Sequence, residues 1–164
     1  VQHDLEGLWA KVIAEATADT QSIHGTEHWA RVERNGIYLA RVAGVDDLIV
    51  RLFALLHDCQ RLNDGSDPEH GNRAASYART IRDDLQMLEP KAFDQLCYAC
   101  EFHTLKTHTD DQVVGICWDA DRLDLGRVSI QPSARYLNSE AAKVIATNRS
   151  FDVLDNISLR VTPS

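Results

Sequence analysis

Proline and glycine are scarce in this sequence, 4 and 8 of 164 residues, and no linker-like segment or internal repeat interrupts it. That excludes a chain of domains joined by flexible spacers, and the length suits one core, so a single unit over residues 1–164 is expected. Long apolar runs are also missing. Nothing approaches the ~20 residues of a membrane helix, and the opening "VQHDLEGLW" lacks the basic start and apolar centre of a signal peptide. A cytoplasmic protein with no membrane partner is the expectation. Positive charge is in deficit, 17 Lys and Arg against 25 Asp and Glu. A net charge of -8 argues against duplex nucleic acid as a partner, because that affinity comes from clustered cations. It does not exclude a small phosphorylated ligand, since carboxylates can hold divalent metals that reverse the local field. Cysteine is limited to Cys59, Cys97, Cys100 and Cys117, too few and too scattered for a disulfide framework. "CYAC" at 97–100 has a zinc or redox spacing. It stands alone, however, and positions i and i+3 share a helix face, so it reads as two small residues packed inside.

What is present is helical periodicity. "DLEGLWAKVIAEATADT" puts Leu5, Leu8, Trp9, Val12, Ile13 and Ala16 on one stripe, predicting a helix from about residue 4 to 18. A second runs from Thr26 to Ala43 and stops at Gly44. "VDDLIVRLFALLHDC" starts at Asp46 or Asp47 and is apolar nearly all round, as a central helix would be. "CQRLNDGSDPEHG" is a loop by its Asn, Asp, Gly and Pro content. Further helices are expected at about 69–87, 90–103, 112–125 and 139–147, with Pro90 in a first turn. Strand patterns are weak, so the fold class is all-α, a bundle of about six or seven helices.

Against that pattern some polar residues are out of place. "LLHDCQR" ends an apolar run with His57, Asp58 and then Arg61. An imidazole and a carboxylate on adjacent residues converge on one ion only where the backbone allows it, as at a helix end. "CWDADRLDLG" sets Asp119, Asp121 and Asp124 into an otherwise apolar helix. Buried carboxylates are costly unless paired or metal-bound. Salt bridges to Arg122 and Arg127 would satisfy them, and so would an ion; spacing alone leaves both readings open.

The ordered set of His28 in "HGTEHWARV", "HD" at His57 and Asp58, "DPEHG" with His70, and Asp121 in "DADRLDLGR" resembles the metal-dependent phosphohydrolases of the HD superfamily, particularly small single-domain bacterial members similar to nucleotide pyrophosphohydrolases. The resemblance spans nearly the whole chain and implies an HD-domain helical bundle around a central metal site. It implies His28, His57, Asp58 and Asp121 as ligands of one divalent ion, with Asp121 preferred over Asp119 because it directly precedes "RL". Asp119 would then orient a ligand histidine. Nitrogen and oxygen ligands suit Mn, Ni, Co, Fe or Zn.

The implied activity is hydrolysis of a nucleotide or another small phosphorylated metabolite through a metal-activated water. Asp58, His70 and Arg61 are the expected catalytic residues, and His70, His103 and Arg73 the candidates for a second ion or for phosphate. The single-ion form is favoured, because "EFHT" carries one histidine where many two-metal members have adjacent ones. Arg31 and Arg122 are expected as partners of buried carboxylates, and Arg127, Pro132, Arg135 and Tyr136 as a pocket wall. His70, Glu69 and Asp64 are the candidates for a general acid, and no spacing rule chooses among them. His24 and His108 are expected at the surface or behind the ligands. Two alternatives stand beside the hydrolase: an HD-fold di-iron oxygenase and a non-catalytic nucleotide-binding regulatory module.

Overall fold

The computed structural model describes residues 3–163; Val1, Gln2 and Ser164, which bound the expected unit, lie outside the described residues. Seven α-helices are found among them: α1 (Glu6–Glu15), α2 (Thr26–Ala43), α3 (Leu48–Leu56), α4 (His70–Thr80), α5 (Pro90–Phe102), α6 (Gln112–Arg122) and α7 (Glu140–Asn148). No strand occurs among the described residues. The all-α expectation therefore holds, and no described helix is long and apolar enough to cross a membrane.

α3 is the axis of the molecule. Seven of its nine residues are buried, and it packs against α1, α2, α4, α5 and α6. Each large apolar side chain so buried contributes roughly 1.5–3 kcal/mol, which is why the all-round apolar segment sits at the centre. α2 lies close to α3 because Gly36 leaves room for Val50: a Cβ at Gly36 would stand 3.1 Å from the Val50 Cβ. α2 is tied to α6 by Asn35, whose Nδ2 donates to the Ala120 carbonyl at 3.0 Å. At its end Gly44 adopts φ 71°, the left-handed cap that glycine permits. Cys59, Cys97, Cys100 and Cys117 are all buried and unpaired, and both members of "CYAC" are core residues of α5.

Three helices are shorter than their periodicity predicts. The chain leaves α1 at Ala16, and the amides of Thr17 and Ala18 donate to the Cys59 carbonyl at 3.1 and 3.3 Å, covering the turn that carries His57 and Asp58. The segment expected as one helix over 69–87 breaks after Thr80 into a 3-10 turn, Arg82–Leu85. There the Arg82 guanidinium donates to the Leu85 and Leu88 carbonyls at 2.6 and 2.9 Å and lies 4.4 Å over the Phe93 ring, satisfying acceptors that helix continuation would have used. α6 ends at Arg122 and passes through Leu123 and Asp124 into a second 3-10 turn, Leu125–Val128.

Candidate metal centre

The ends of α3, α4, α5 and α6 and the start of α2 bring the polar residues together. Gly25 precedes α2 in a turn so tight that a Cβ would lie 2.2 Å from the Thr20 carbonyl oxygen, and this turn sets His24 and His28 on the same side. His57 follows α3, its amide still donating to the Phe53 carbonyl at 2.9 Å, and Asp58 turns back beneath it. His70 is the first residue of α4 and His103 directly follows α5. α4 and α5 can lie side by side because residue 71 is glycine: a Cβ there would meet the carbonyl oxygens of Cys100 and Glu101 at 2.6 and 2.7 Å.

The hydrogen-bond partners fix the state of each imidazole. His57 Nδ1 faces the carbonyls of Phe53 and Ala54 at 3.1 and 3.0 Å, His70 Nδ1 the carbonyl of Asp67 at 2.5 Å, and His103 Nδ1 that of Cys100 at 2.6 Å. A carbonyl only accepts, so each Nδ1 carries the proton and each Nε2 is left with a lone pair. His28 Nδ1 donates in the same way to Asp124 Oδ2 at 2.7 Å. The four Nε2 atoms then converge. His28 Nε2 lies 3.1 Å from His57 Nε2, and His70 Nε2 lies 2.9 Å from His103 Nε2. Two ring nitrogens this close need a cation between or beside them, which a proton on His28 and the Arg61 guanidinium, 3.1 Å from His70 Nε2, can supply and which a metal ion would replace.

Asp58 stands between the two pairs. Its Oδ2 is 3.4 Å from His28 Nε2 and 3.5 Å from His57 Nε2, while its Oδ1 is 3.1 Å from His70 Nε2 and 3.5 Å from His103 Nε2. Asp121 completes the first group, Oδ1 lying 3.2 Å from His28 Nε2 and 3.5 Å from His57 Nε2. That oxygen is buried and has no hydrogen-bond partner. Histidines anchored through Nδ1–H and aiming Nε2 at buried carboxylates form the donor set of a divalent-metal site. The residues present therefore fit an ion: the groups His28, His57, Asp58 and Asp58, His70, His103 could each hold one.

Charge follows from this packing. Burial disfavours a charged His28, but Asp121, Asp124 and Asp58 outweigh it and raise its pKa to about 10. Burial likewise opposes ionisation of Asp58 and Asp121 and is overcome by the imidazoles facing them, above all His57, so both carboxyls lie well below their ordinary range. The centre opens to solvent through a cleft of about 340 Å³, lined in part by His24, Asp58, His70, His103, Asp121 and Arg127. A separate cavity of about 480 Å³, between the end of α2 and the starts of α6 and α7, contains no such group of ligating side chains among the described residues.

His28, His57, Asp58 and Asp121, named from the sequence, thus stand together, with Arg61, His70 and His103 beside them. Arg61 is anchored by the Asn63 and Gly65 carbonyls at 3.2 and 2.9 Å, with Nη1 3.1 Å from His70 Nε2. Arg31 pairs as expected with a carboxylate, Asp124, at 2.8 Å, and His108 is exposed.

Other expectations need correction. Arg73 does not face the cleft: it is spent on Asp67 and on the Gln60 carbonyl, at 2.6 and 3.0 Å, bracing the loop. Arg122 bonds the carbonyls of Thr107 and Lys106 at 2.7 and 2.6 Å rather than a carboxylate. Asp119 orients no histidine; it accepts from the amides of Asn138 and Ser139 at 2.8 and 2.7 Å. Glu69 and Asp64 are exposed and do not line the cleft. Of the expected wall, Arg127 and Tyr136 line the cleft, whereas Pro132 lines a different cavity. Two roles were not assigned from the sequence, that of Asp124 and that of His24, which was expected at the surface or behind the ligands. Asp124 is the carboxylate that orients His28, and its i+3 spacing from Asp121 was the available signal. His24 reaches within 3.5 Å of Asp58 Oδ2, through a turn that no helical periodicity encodes.

No family model and no curated protein matches the chain. A crystal structure of a predicted HD superfamily hydrolase from an uncultured Thermotogales bacterium does, with TM-score 0.70 and 24% identity over 93% of this chain and 88% of that one. The chain therefore has the fold of that HD superfamily protein.

Proposed function

We propose that the chain is a single HD-type domain and a metal-dependent phosphohydrolase acting on a small phosphorylated substrate, a nucleotide or a similar metabolite. The observation that carries the reading is the convergence of His28 Nε2, His57 Nε2, Asp58 and the unpartnered Asp121 Oδ1 on one buried point below an open cleft. The fold likeness to a predicted HD superfamily hydrolase supports it. These four residues would hold the ion, and N and O donors suit Mn, Fe, Co, Ni or Zn. Bound there, the ion would supply charge that acidifies water and draws electron density from a phosphoryl oxygen. Asp58 is the residue that fixes the geometry, since its two oxygens face different histidine pairs. Arg61, held by loop carbonyls beside His70, adds fixed positive charge at the cleft. Four reduced, buried cysteines suit a cytoplasmic setting.

A second reading concerns the number of ions. Asp58 Oδ1 with His70 and His103 forms another group of donor atoms, which favours a two-ion centre over the single ion inferred from sequence. Two ions would also keep the di-iron oxygenase in play.

The test is a panel of nucleoside mono- and triphosphates, cyclic nucleotides and a chromogenic phosphate ester, given to metal-stripped protein with Mn, Ni, Co or Zn restored separately. Metal-dependent release of phosphate or pyrophosphate, lost in Asp58→Ala, is the expected result. No hydrolysis by protein shown to hold metal would contradict the hydrolase and favour an oxygenase or a binding module.

A further inference from the structure

Arg127 stands in the wall of two cavities. It lines the cleft above the histidine and aspartate cluster, and it also lines an outer cavity of about 620 Å³ walled by Leu123, Ile130, Pro132 and Phe151. Its side chain is only 10% exposed. Nη1 donates to the Asp124 carbonyl at 2.9 Å, Nη2 lies 3.4 Å from His24 Nδ1 and 4.0 Å from Asp121 Oδ1, and the buried Nε has no partner. A guanidinium carries five N–H donors, so most of those on Arg127 are unused. The other arginines at the cleft are committed: Arg61 to the carbonyls of Asn63 and Gly65, Arg122 to those of Thr107 and Lys106. Leaving a buried cationic donor unsatisfied is costly, and a phosphoryl oxygen is the acceptor its planar fork matches best.

The outer cavity limits what can be attached to that phosphoryl group. Its other arginine, Arg31, is already paired with Asp124 at 2.8 Å, so among the described residues no further cation of this cavity is left to meet a second phosphate. Apart from Asp124, paired with Arg31, and the uncharged Ser129 and Gln131, the remaining walls are apolar, and the volume lies within the roughly 300–1,000 Å³ typical of small-molecule pockets.

Resting on the phosphohydrolase reading, we propose that Arg127 binds the substrate's phosphoryl group and that the substrate is a phosphomonoester whose uncharged organic part passes Arg127 into the outer cavity. The probes are inorganic phosphate and phenylphosphonate, whose C–P bond a phosphohydrolase leaves intact, titrated calorimetrically into metal-loaded wild type, Arg127→Gln and Gly126→Leu, with metal content and Tm measured alongside. Gly126 lines the outer cavity and a Cβ there has no atom within 4 Å, so a leucine at this position has room to start and narrows the cavity from its wall.

Phenylphosphonate should bind wild type more tightly than phosphate does. Arg127→Gln should weaken both about ten-fold or more while keeping metal and Tm, as loss of a charged hydrogen-bond donor requires. Gly126→Leu should remove the preference for phenylphosphonate. If Arg127→Gln does not fold, Arg127→Lys, which keeps the charge and loses the fork, should weaken binding in the same direction. Unchanged binding by the Arg127 variants, in protein that holds metal, overturns this inference alone; a wild type that retains no metal overturns the hydrolase reading on which it rests.

Discussion

Asp119 and Asp121 lie two residues apart on α6 and do different work. Asp121 projects to the imidazoles with an oxygen that nothing donates to, whereas Asp119 stitches α6 to the start of α7 by accepting from Asn138 and Ser139. Asp119→Ala should therefore cost stability, about 2–4 kcal/mol because buried donors lose their acceptor, and leave metal content intact. Asp121→Ala should do the reverse: metal is lost with little change in the Tm of the metal-free protein. Asp124→Asn tests the orientation of His28. Removing the acceptor charge at Nδ1 should weaken metal affinity about 10–100-fold with the fold preserved, read by competition with a chelating dye. Spacing could nominate the three aspartates but could not separate their roles, because that depends on what lies across from each.

At the scale of elements, the helices with clear stop signals were legible: α2 starts at Thr26 and ends before Gly44 as its sequence predicts. Segments whose ends depend on distant partners were not. Nothing local in 69–87 announces that Arg82 will cap Leu85 and Leu88, or that residues after Ala16 will bond Cys59. The approach of α4 to α5 also depends on one residue. Gly71→Ala should force the two helices apart, destabilise the protein by about 1–3 kcal/mol and separate His70 from His103. A fall in Tm with loss of any second ion, the first being retained, would show it.

The loop before α4 is held by Asp67, which pairs with Arg73 and accepts from the Leu62 amide at 2.8 Å. Burial works against ionisation of Asp67, but Arg73 and the amide outweigh it and hold its carboxyl below the ordinary 3.8. The folded-state pKa is depressed, so this contribution to stability is complete above about 3.8 and is lost as pH falls through the lower, folded value. Asp67→Asn should accordingly lower Tm at neutral pH, and the difference from wild type should shrink in acid.

Over the whole molecule, one apolar core surrounds a set of charged groups that would be expensive without a counter-ion. His28 and His57 are fully buried and Asp58 nearly so, which couples metal binding to folding. Chelation should lower Tm by roughly 5–10 °C where the ion was present at about a hundred times its Kd, since that occupancy contributes about 2.7 kcal/mol to a domain of this size. A guanidinium near the chain's end adds a separate fastening: Arg160 bonds both Glu33 oxygens at 3.0 Å and lies 4.3 Å over Trp9, joining the last residues to α1 and α2. The final segment gave no such indication in sequence, because its partners lie more than a hundred residues away.

A divalent ion held by His28, His57, Asp58 and Asp121 would be seen first in the ion content of the purified protein. Wild type and Asp58→Ala would be equilibrated with Mn or Zn, desalted, and the metal per chain determined by mass spectrometry. Wild type should hold at least one ion per chain, and Asp58→Ala, folded to a similar Tm when metal-free, should hold none. Equal metal in the two proteins, or none in either, would contradict this ligand assignment.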